Sequence, residues 1–367
     1  MPAAPPEDLH TLFEQAVAAH RRNDLAEAER LYSALLEVAE SPQVTCNLAT
    51  VRRALGDLDQ AERLYRRAIE TKSDFPAAYG GLGNVLRDKG HLDESLQAYE
   101  TAIAQDGDFA DAHINAGNVL QGLGRYDEAA HHFEIALRLQ PDDEETGFTL
   151  AAIRGDQRNT APESYTRHLF DSYAERFDKH LQDDLQYRVP ALLRDAVVRT
   201  MGPLAMPRSL RIADLGCGTG LCGAAVADLA SSLVGVDLAP RMIAKAAQRN
   251  VFGDLVCGDI VPFLQARRTA FDLVLAGDVF IYVGDMAPAL DAAQQALAAG
   301  GLFAFSVERC EGNGYVLQAT ARFAHAPDYV ENVAADAGFE TCVRDDIDVR
   351  FDRGTPIPGL LYVLRKP

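Results

Sequence analysis

The feature that most constrains this chain is a sequence period of 34 residues in its first part. Three segments align at this spacing: Gly56–Ala61, Gly90–Ser95 and Gly124–Ala129. A fourth copy, Asn23–Ala28, precedes them at an offset of 33 residues. Nine residues after the first position of each copy stands an aromatic residue: Tyr32, Tyr65, Tyr99 and Phe133. A fixed period of this length indicates stacked helical pairs, because one pair alone cannot bury its apolar face.

The repeated segment resembles the tetratricopeptide repeat, in which a helix, a turn and an antiparallel helix recur. The small residue five positions after the turn lets two helices approach closely, and the aromatic residue fills the space between neighbouring helices. The resemblance covers residues 9 to about 142 and implies four repeats. We therefore predict an all-α solenoid over residues 1–142. Its concave wall is expected to bind a partner, and the alternative is a spacer or a dimerisation surface.

A row of asparagines favours binding. They occupy two positions, three residues apart, within the repeat: Asn47, Asn84, Asn115 and Asn118. This spacing places them on one helical face. The row resembles the one with which some tetratricopeptide proteins hold an extended peptide, and an amide side chain both donates and accepts hydrogen bonds. Although Gly81 and Thr50 interrupt the row, we predict that these four residues bind a peptide or protein substrate or partner.

Charge and composition exclude several other classes of partner. The chain has a formal net charge of −19, and residues 1–160 contain 15 Lys and Arg against 28 Asp and Glu. Such a field repels nucleic acid and anionic lipid. No apolar run approaches the ~18 residues of a membrane span, and the first residues do not form a secretory signal. The six scattered cysteines predict no metal site. We expect a cytoplasmic protein that binds neither nucleic acid nor membrane.

The second part of the chain follows a different pattern. A polar, turn-rich stretch predicts a linker at residues 143–162, followed by a helical lid and connector at 163–208. Over residues 209–367, apolar strand segments alternate with Ala-rich helical segments, which predicts a parallel sheet covered by helices on both faces. The last two strand segments lack a helix between them and predict an antiparallel edge hairpin. This α/β domain resembles the seven-stranded, Rossmann-like class I S-adenosylmethionine-dependent methyltransferases.

The glycine-rich loop after the first strand can be interpreted in two ways. Gly218-x-Gly220-x-x-Gly223 has the spacing of a dinucleotide-binding turn, whereas Asp214-x-Gly216-x-Gly218-x-Gly220 fits S-adenosylmethionine. Asp237, at the end of the second strand, suits both interpretations, because a carboxylate there can accept hydrogen bonds from ribose hydroxyls. Asp214 and Asp259, at the ends of the first and third strands, favour the second interpretation. A carboxylate beside a pyrophosphate is repelled, whereas one beside an ammonium or sulfonium is attracted.

The resemblance to these methyltransferases implies the cofactor S-adenosylmethionine and a role for each acid. Asp214 would order the loop around the methionine part, Asp237 would accept hydrogen bonds from the ribose, and Asp259 would bind the adenine. Tyr173, Phe177 and Tyr187 lie in a segment that resembles the family's lid, with helix packing as the alternative. The predicted cofactor-binding residues are Asp214, Gly216, Cys217, Gly218, Gly220, Asp237, Leu238, Asp259, Ile260, Asp278, Tyr173 and Tyr187.

Methyl transfer requires an in-line approach of the acceptor but no nucleophile from the enzyme. An acid–base residue helps when the acceptor must lose a proton. The predicted catalytic residues are His325, Asp278 and Tyr282, with Glu308 as a further candidate, and the alternative for His325 is a helix-entry position. The strand-four sequence lacks the NPPY-like tetrapeptide of enzymes that methylate amino groups of nucleic acids, which argues against DNA and RNA acceptors.

Repeats followed by this domain resemble a bacterial group of predicted methyltransferases that contain tetratricopeptide repeats. The first hypothesis is therefore a class I methyltransferase acting on a peptide or protein presented by the repeat groove. Two alternatives remain. One is a small-molecule methyltransferase whose repeats serve assembly, and the other is a non-catalytic scaffold that senses the cofactor.

Overall fold

The structure is a computed structural model that describes residues 6–175, 177–179, 181, 186–202, 209–352 and 354–367. The chain divides into two compact units, Met1–Leu150 and Ala151–Pro367. Among the described residues, every helix is too short or too polar to cross a bilayer.

The first unit is built from four helical pairs, as the 34-residue period predicts. The pairs are α1 (Pro6–Arg21) with α2 (Leu25–Val38), α3 (Pro42–Ala54) with α4 (Leu58–Thr71), α5 (Pro76–Asp88) with α6 (Leu92–Gln105), and α7 (Ala110–Gly122) with α8 (Tyr126–Leu139). A further helix, α9 (Glu144–Arg154), follows.

The turn within each pair explains why glycine recurs there. Gly56, Gly90 and Gly124 have φ angles of +83°, +83° and +75°, and Asn23 takes the same left-handed conformation at +60°. This region is costly for most residues but open to glycine and tolerated by asparagine. The aromatic residue of each copy is at most 2% exposed, so the predicted space-filling role is confirmed for Tyr32, Tyr65, Tyr99 and Phe133.

The second unit is a mostly parallel sheet with helices between its strands. Its helices are α10 (Glu163–Tyr173), α11 (Phe177–Lys179), α12 (Val189–Met201), α13 (Leu221–Val226), α14 (Pro240–Gln248), α15 (Ile260–Gln265), α16 (Ala287–Ala296) and α17 (Pro327–Asp336). Its strands are β1 (Leu210–Leu215), β2 (Ala230–Asp237), β3 (Asp254–Cys257), β4 (Phe271–Ala276), β5 (Leu297–Arg309), β6 (Tyr315–Leu317), β7 (Phe323–His325), β8 (Glu340–Asp352) and β9 (Thr355–Arg365).

The sheet order is β3-β2-β1-β4-β5-β7-β6, and β9 pairs with both β5 and β8. The predicted antiparallel hairpin is confirmed as β8 and β9, and β9 runs antiparallel to β5. The predicted fold, a mostly parallel sheet with an antiparallel edge, is confirmed. The described residues form nine strands, since the short strands β6 and β7, of three residues each, add to the predicted seven. Apolar clusters fill both faces of the sheet.

The range predicted as a linker, 143–162, is largely ordered. It contains α9, and the residues after this helix are bound to the loop that follows β4. The carbonyl of Asn159 accepts hydrogen bonds from the backbone of Gly284 and Asp285, both at 2.8 Å. Ala161 donates to the carbonyl of Tyr282 at 2.9 Å. Asn159 and Ala161 therefore attach this segment to the sheet unit, because their backbone groups hydrogen-bond to the loop that follows β4.

Candidate functional site

The loop after β1 has the left-handed backbone that its glycines permit. The φ angles of Gly216, Gly218 and Gly220 are +55°, +53° and +89°. A Cβ atom on Gly216 would lie 2.7 Å from Val279 Cγ2, and one on Gly220 would lie 2.7 Å from the Phe252 ring. A side chain is therefore excluded at both ends of the loop, and the backbone amides can approach a ligand closely.

Asp214 ends β1 beneath this loop and is almost completely buried. Its Oδ2 accepts a hydrogen bond from the Gly223 N–H at 2.8 Å, whereas its buried Oδ1 has no hydrogen-bond partner among the described residues. Burial raises the pKa of the Asp214 carboxyl to about 7, the Gly223 N–H opposes this rise, and Asp237 adds to it. The unsatisfied oxygen marks a position where a cationic donor would be stabilised.

Asp237, at the end of β2, joins the loop to the neighbouring strand. Its Oδ2 accepts from the Gly218 N–H and its Oδ1 accepts from the Ala239 N–H, both at 2.8 Å. Burial raises the pKa of Asp237, and these two bonds oppose the rise. Leu238 follows directly, and its carbonyl lies 3.6 Å from Cys257 Sγ. Cys217, predicted as a cofactor-binding residue, is buried within the loop.

Asp259 follows β3 at the adjoining position of the sheet and is exposed. It is the N-cap of α15, with Oδ1 accepting from the Val261 N–H at 2.7 Å, and Ile260 is the first residue of that helix. The Gly258 N–H donates to the Asp237 carbonyl at 2.9 Å. The ends of β1, β2 and β3 therefore bring the three predicted acids to the same edge of the sheet.

Aromatic side chains from the predicted lid lie over the glycine loop. The Phe177 ring is 3.8 Å from the position that a Cβ would take on Gly218, and it contacts the rings of Tyr173 and Phe170. Phe170 in turn contacts Tyr282, with ring centroids 5.4 Å apart. Residues 176, 180, 182–185 and 203–208 of the predicted lid and connector lie outside the described residues.

Tyr187 is placed differently from the other lid aromatics. Its hydroxyl lies 3.4 Å from the Cβ position of Gly277, directly after β4. Burial raises the pKa of this phenol well above its ordinary value, and the carboxylates of Asp278 and Asp214 add to the rise. Tyr187 therefore lies near the carboxyl ends of both β1 and β4.

The lid is also held by ion pairs that sequence inspection did not reveal. Acidic side chains of α10, α11 and the turn between them meet α14 and the residue after it. Glu175 Oε2 lies 2.6 Å from Lys245 Nζ, and Asp171 Oδ1 accepts from the Arg241 N–H at 2.9 Å. Asp178 pairs with Arg249 and accepts from the Thr219 hydroxyl of the glycine loop. We call the two side-chain pairs, Glu175 with Lys245 and Asp178 with Arg249, the lid ion pairs.

Asp278, predicted both to bind the cofactor and to act in catalysis, follows β4 in a buried polar cluster. Its Oδ1 accepts a hydrogen bond from the Ser306 hydroxyl at 3.1 Å, and its Oδ2 lies 3.5 Å from Arg350 Nη1. Arg350 also pairs with Glu308. Sequence inspection missed Arg350 and Ser306, since neither belongs to a recognisable motif.

The other two predicted catalytic residues have different surroundings. Tyr282 ends the 3-10 turn Phe280–Tyr282 and packs under the lid through Phe170. His325 is completely buried in β7, where its Nε2 lies 3.0 Å and 3.1 Å from the carbonyls of Val283 and Gly284. Burial lowers the pKa of His325 to about 4, with these carbonyl contacts opposing the change. A neutral, enclosed imidazole is the expected state of a packing residue, so its surroundings do not support the predicted base.

The first unit contains a cavity of about 420 Å³ between the first helices of its last three repeats. Two asparagines of the predicted row, Asn84 and Asn115, line it, together with Thr50, Tyr65, Phe109 and Asp111. With Arg53 also in its lining, the cavity combines amide, aromatic, acidic and basic groups.

The asparagine row is partly satisfied within the repeats. Asn84 Oδ1 accepts from the Tyr99 hydroxyl at 2.8 Å, Asn115 Oδ1 accepts from Arg87 Nη1 at 2.9 Å, and Asn47 Nδ2 lies 3.4 Å from the Tyr32 hydroxyl. Asn118 is exposed and has no hydrogen-bond partner among the residues described. The difference follows from the repeat, because the aromatic residue 15 positions after Asn118 is Phe133, which lacks a hydroxyl.

Comparison with known proteins agrees with this division of the chain. Residues 213–303 match the family described as methyltransferase domain, and residues 9–33, 42–67, 83–124 and 110–143 match tetratricopeptide repeat families. A 120-residue stretch is 35% identical to the ubiquinone biosynthesis O-methyltransferase of Methylobacterium nodulans, over 30% of this chain and 47% of that protein.

Two further similarities concern parts of the chain. A 65-residue stretch is 34% identical to the 18S rRNA (guanine-N(7))-methyltransferase of Bos taurus, over 18% of this chain and 23% of that protein. The solved magnesium protoporphyrin IX methyltransferase of Synechocystis PCC 6803 is 15% identical over 56% of this chain and 97% of its own, with a TM-score of 0.44. The chain spans less than half the length of these two curated relatives. It contains tetratricopeptide repeats in its first part and a methyltransferase domain in its second.

Proposed function

We propose that this protein is an S-adenosylmethionine-dependent methyltransferase that acts on a peptide or protein segment held by its repeats. The observation that carries the cofactor assignment is the buried Asp214 Oδ1, which lacks a partner among the described residues. A buried acceptor without a donor is unfavourable, and the ammonium group of the cofactor's methionine part would satisfy it. A dinucleotide would instead bring a pyrophosphate close to the carboxylate of Asp214, which is electrostatically unfavourable.

The remaining residues at this edge of the sheet have suitable chemistry for the same ligand. When bound, S-adenosylmethionine supplies an activated methyl group on a positively charged sulfur. Each oxygen of Asp237 accepts one backbone hydrogen bond, and a carboxylate oxygen can accept a second, so ribose hydroxyls fit there. Asp259 is exposed and uses Oδ1 for its helix cap, so Oδ2 can accept from the adenine amino group.

Calorimetry on the full chain tests the cofactor assignment. S-adenosylmethionine and its demethylated product should bind, whereas nicotinamide dinucleotides should not. Asp237→Ala removes a buried charged acceptor and should cost about 1.5–3 kcal/mol, a roughly ten- to hundredfold loss of affinity. Asp291→Ala, at an exposed position of α16, serves as the matched control. Dinucleotide binding without S-adenosylmethionine binding would overturn the proposal.

The acceptor class rests on the repeat groove. Asn118 presents an amide that can both donate to and accept from a peptide backbone. The cavity lined by Asn84 and Asn115 also contains Phe109 and Asp111, which suit an apolar or basic side chain, and Arg53, the one cation among its described lining residues, is paired with Asp88. The excess of acidic residues in the first 160 residues favours the same neutral or basic segment. Covalent linkage of the repeats to the methyltransferase domain would then raise the effective concentration of the captured segment.

Substitution within the row tests this part of the proposal. Asn115→Ala with Asn118→Ala should lower substrate use roughly five- to hundredfold, because each lost hydrogen bond costs about 0.5–1.5 kcal/mol. Cofactor affinity should stay unchanged. Gln97→Ala, at an exposed position of α6, is the control for a surface amide outside the row. Unchanged substrate use would show that the repeat groove does not hold the acceptor. Altered cofactor affinity would mean that the double substitution acts by destabilising the protein.

A further inference from the structure

Asp278 has a backbone conformation that needs support from its surroundings. Its φ angle is +57°, a left-handed value that is unfavourable for a residue with a Cβ atom. Ser306 of β5 supplies that support in two ways. The Ser306 hydroxyl accepts a hydrogen bond from the Asp278 N–H at 3.0 Å and donates one to Asp278 Oδ1 at 3.1 Å. The carboxylate is therefore fixed in direction at the carboxyl end of β4.

Arg350 reaches the same place because β8 is irregular. The pairing of β8 with β9 shifts register between Asp348 and Arg350. In a regular strand, successive side chains alternate between the two faces, yet Val349 and Arg350 are both buried. A β-bulge of this kind redirects one side chain, and such bulges are common beside active sites. Gly359 of β9 makes room, since a Cβ there would lie 2.4 Å from Val349 Cγ1.

The result is a buried guanidinium between two carboxylates from neighbouring strands. Arg350 pairs with Glu308 and lies 3.5 Å from Asp278 Oδ2. The side chains of Arg350 and Glu308 are each 4% exposed, whereas that of Asp278 is 16% exposed. The more exposed of the two carboxylates is therefore that of Asp278, and the more enclosed one is that of Glu308.

Burial raises the pKa of Asp278, the charge of Arg350 lowers it, and the charge of Glu308 raises it. Removing Arg350 would favour the protonated acid, which cannot accept a proton. Neighbouring elements also direct titratable or charged groups toward this carboxyl, namely Tyr187, Tyr282 and Arg322.

We propose that Asp278 removes a proton from the methyl acceptor, and that Arg350 and Ser306 are positioning residues that hold its carboxylate for this step. The proposal rests on the proposed function and deepens it, because the acceptor must then be an N–H or O–H group. The acceptor's N–H or O–H bond breaks, its electron pair forms the bond to the methyl carbon, and the proton passes to Asp278. The electron pair of the methyl carbon–sulfur bond stays on the sulfur, so charge and atoms balance.

Direct titration of Asp278 in the full chain tests the positioning role. In protein labelled with 13C at the aspartate carboxyl carbon, the Asp278 resonance is identified by its loss in Asp278→Asn. Arg350→Met should raise the measured pKa of Asp278 by about one to three pH units, the usual effect of an opposite charge within a few ångströms. Arg350→Lys should restore part of the change. Arg344→Met, an exposed position of the same strand, is the control and should leave it unaltered.

A second variant protects this test against misfolding. Arg350→Met leaves Glu308 buried and unpaired, whereas Arg350→Met with Glu308→Gln removes both charges and should give a smaller rise in the pKa of Asp278. An unchanged pKa in a folded variant would overturn the role of Arg350. The measurement needs neither cofactor nor acceptor, so its outcome is independent of the cofactor proposal.

Transfer measurements test the role of Asp278 itself. Heat-treated, desalted lysate protein and S-adenosylmethionine with a labelled methyl group are the probes. With S-adenosylmethionine at a saturating concentration for each protein, Asp278→Asn should lower incorporation at least 100-fold, the low end of the usual contribution of a general base. If the unaltered chain transfers label and Asp278→Asn transfers it equally well, the base assignment is wrong. If the unaltered chain transfers none to protein, the proposed protein acceptor fails instead.

Discussion

The sharpest prediction concerns the proton on Asp214. Its carboxyl is buried, with a pKa raised to about 7 chiefly by burial, and its Oδ1 has no described partner. A cationic ligand at Oδ1 stabilises the ionised form, so bound Asp214 must have a lower pKa than free Asp214. Binding therefore strengthens as pH rises toward 7 and weakens as pH falls below it. Between pH 7 and the lower pKa of the bound form, each pH unit should cost up to about 1.4 kcal/mol, or tenfold in affinity.

Asp214→Asn isolates this effect. The amide oxygen can still accept the hydrogen bond from Gly223, but the charge is gone. At pH 7.5 the variant should bind S-adenosylmethionine roughly ten- to hundredfold more weakly, as expected for one hydrogen bond to a charged group. The ratio of the two affinities should shrink by up to about fivefold between pH 7 and 6, because the ionised fraction of Asp214 in the free protein falls from about a half to about a tenth.

Calorimetry in two buffers with different ionisation enthalpies measures both the affinity and the proton count. On binding at pH 6 the unaltered chain should release roughly 0.4 to 0.8 more proton than the variant, as a ten- to hundredfold affinity ratio requires, and at pH 8 it should release about the same number. Using the ratio cancels the titration of the ligand's own amino group, which has a pKa near 8. A ratio independent of pH, or equal proton release by both proteins, would refute the assignment of Asp214 to the cationic end of the cofactor.

Three further predictions concern the repeats and the lid. His113 and His132 face each other through their Nδ1 atoms at 3.0 Å, and the pKa of His132 is lowered to about 4, first by burial and then by His113. The free energy of unfolding contributed by neutral His132 is therefore present above pH 6.5 and is lost as pH falls toward 4, by roughly 1–3 kcal/mol. Hydrogen exchange in α7 and α8 should show this loss in the unaltered chain but much less in His132→Gln. Gly81→Ala would place a Cβ 2.3 Å from the Tyr65 ring and should destabilise the repeats by about 1–3 kcal/mol. The control Gly122→Ala places its Cβ where no atom lies within 4 Å and should not destabilise them. Equal melting temperatures of these two variants would contradict the packing argument. The lid ion pairs predict that cofactor dissociation, followed by stopped flow, speeds up with ionic strength; a rate insensitive to salt would mean that they do not hold the lid.

The elements that could be predicted from the sequence are those governed by local patterns. The turn glycines recur because each turn needs a left-handed residue, and the acids at the ends of β1, β2 and β3 follow directly from strand boundaries. The interruption of the asparagine row at Gly81 has a different kind of cause, since the Tyr65 ring of the preceding helix occupies the space of a side chain. This cause becomes visible only when the two helices are packed together.

The residues that escaped prediction depend on irregular or long-range structure. Arg350 reaches Asp278 through a bulge in β8, and a period of two in the sequence would have assigned it or Val349 to the outer face. His325 is predicted to be catalytic from its residue type, and the sequence could not reveal that β7 encloses its imidazole against backbone carbonyls. The lid ion pairs join residues about 70 positions apart, so no short motif reports them.

Transfer of a labelled methyl group tests the central claim most directly. The full chain is incubated with labelled S-adenosylmethionine and heat-treated lysate, and the products are separated into protein and small-molecule fractions. We predict label in the protein fraction that depends on the chain and falls at least tenfold with Asp237→Ala. Label confined to small molecules would support the assembly alternative, in which the repeats do not present the acceptor. No transfer to either fraction, despite cofactor binding, would contradict the claim that the chain is a methyltransferase and would favour a cofactor-sensing scaffold.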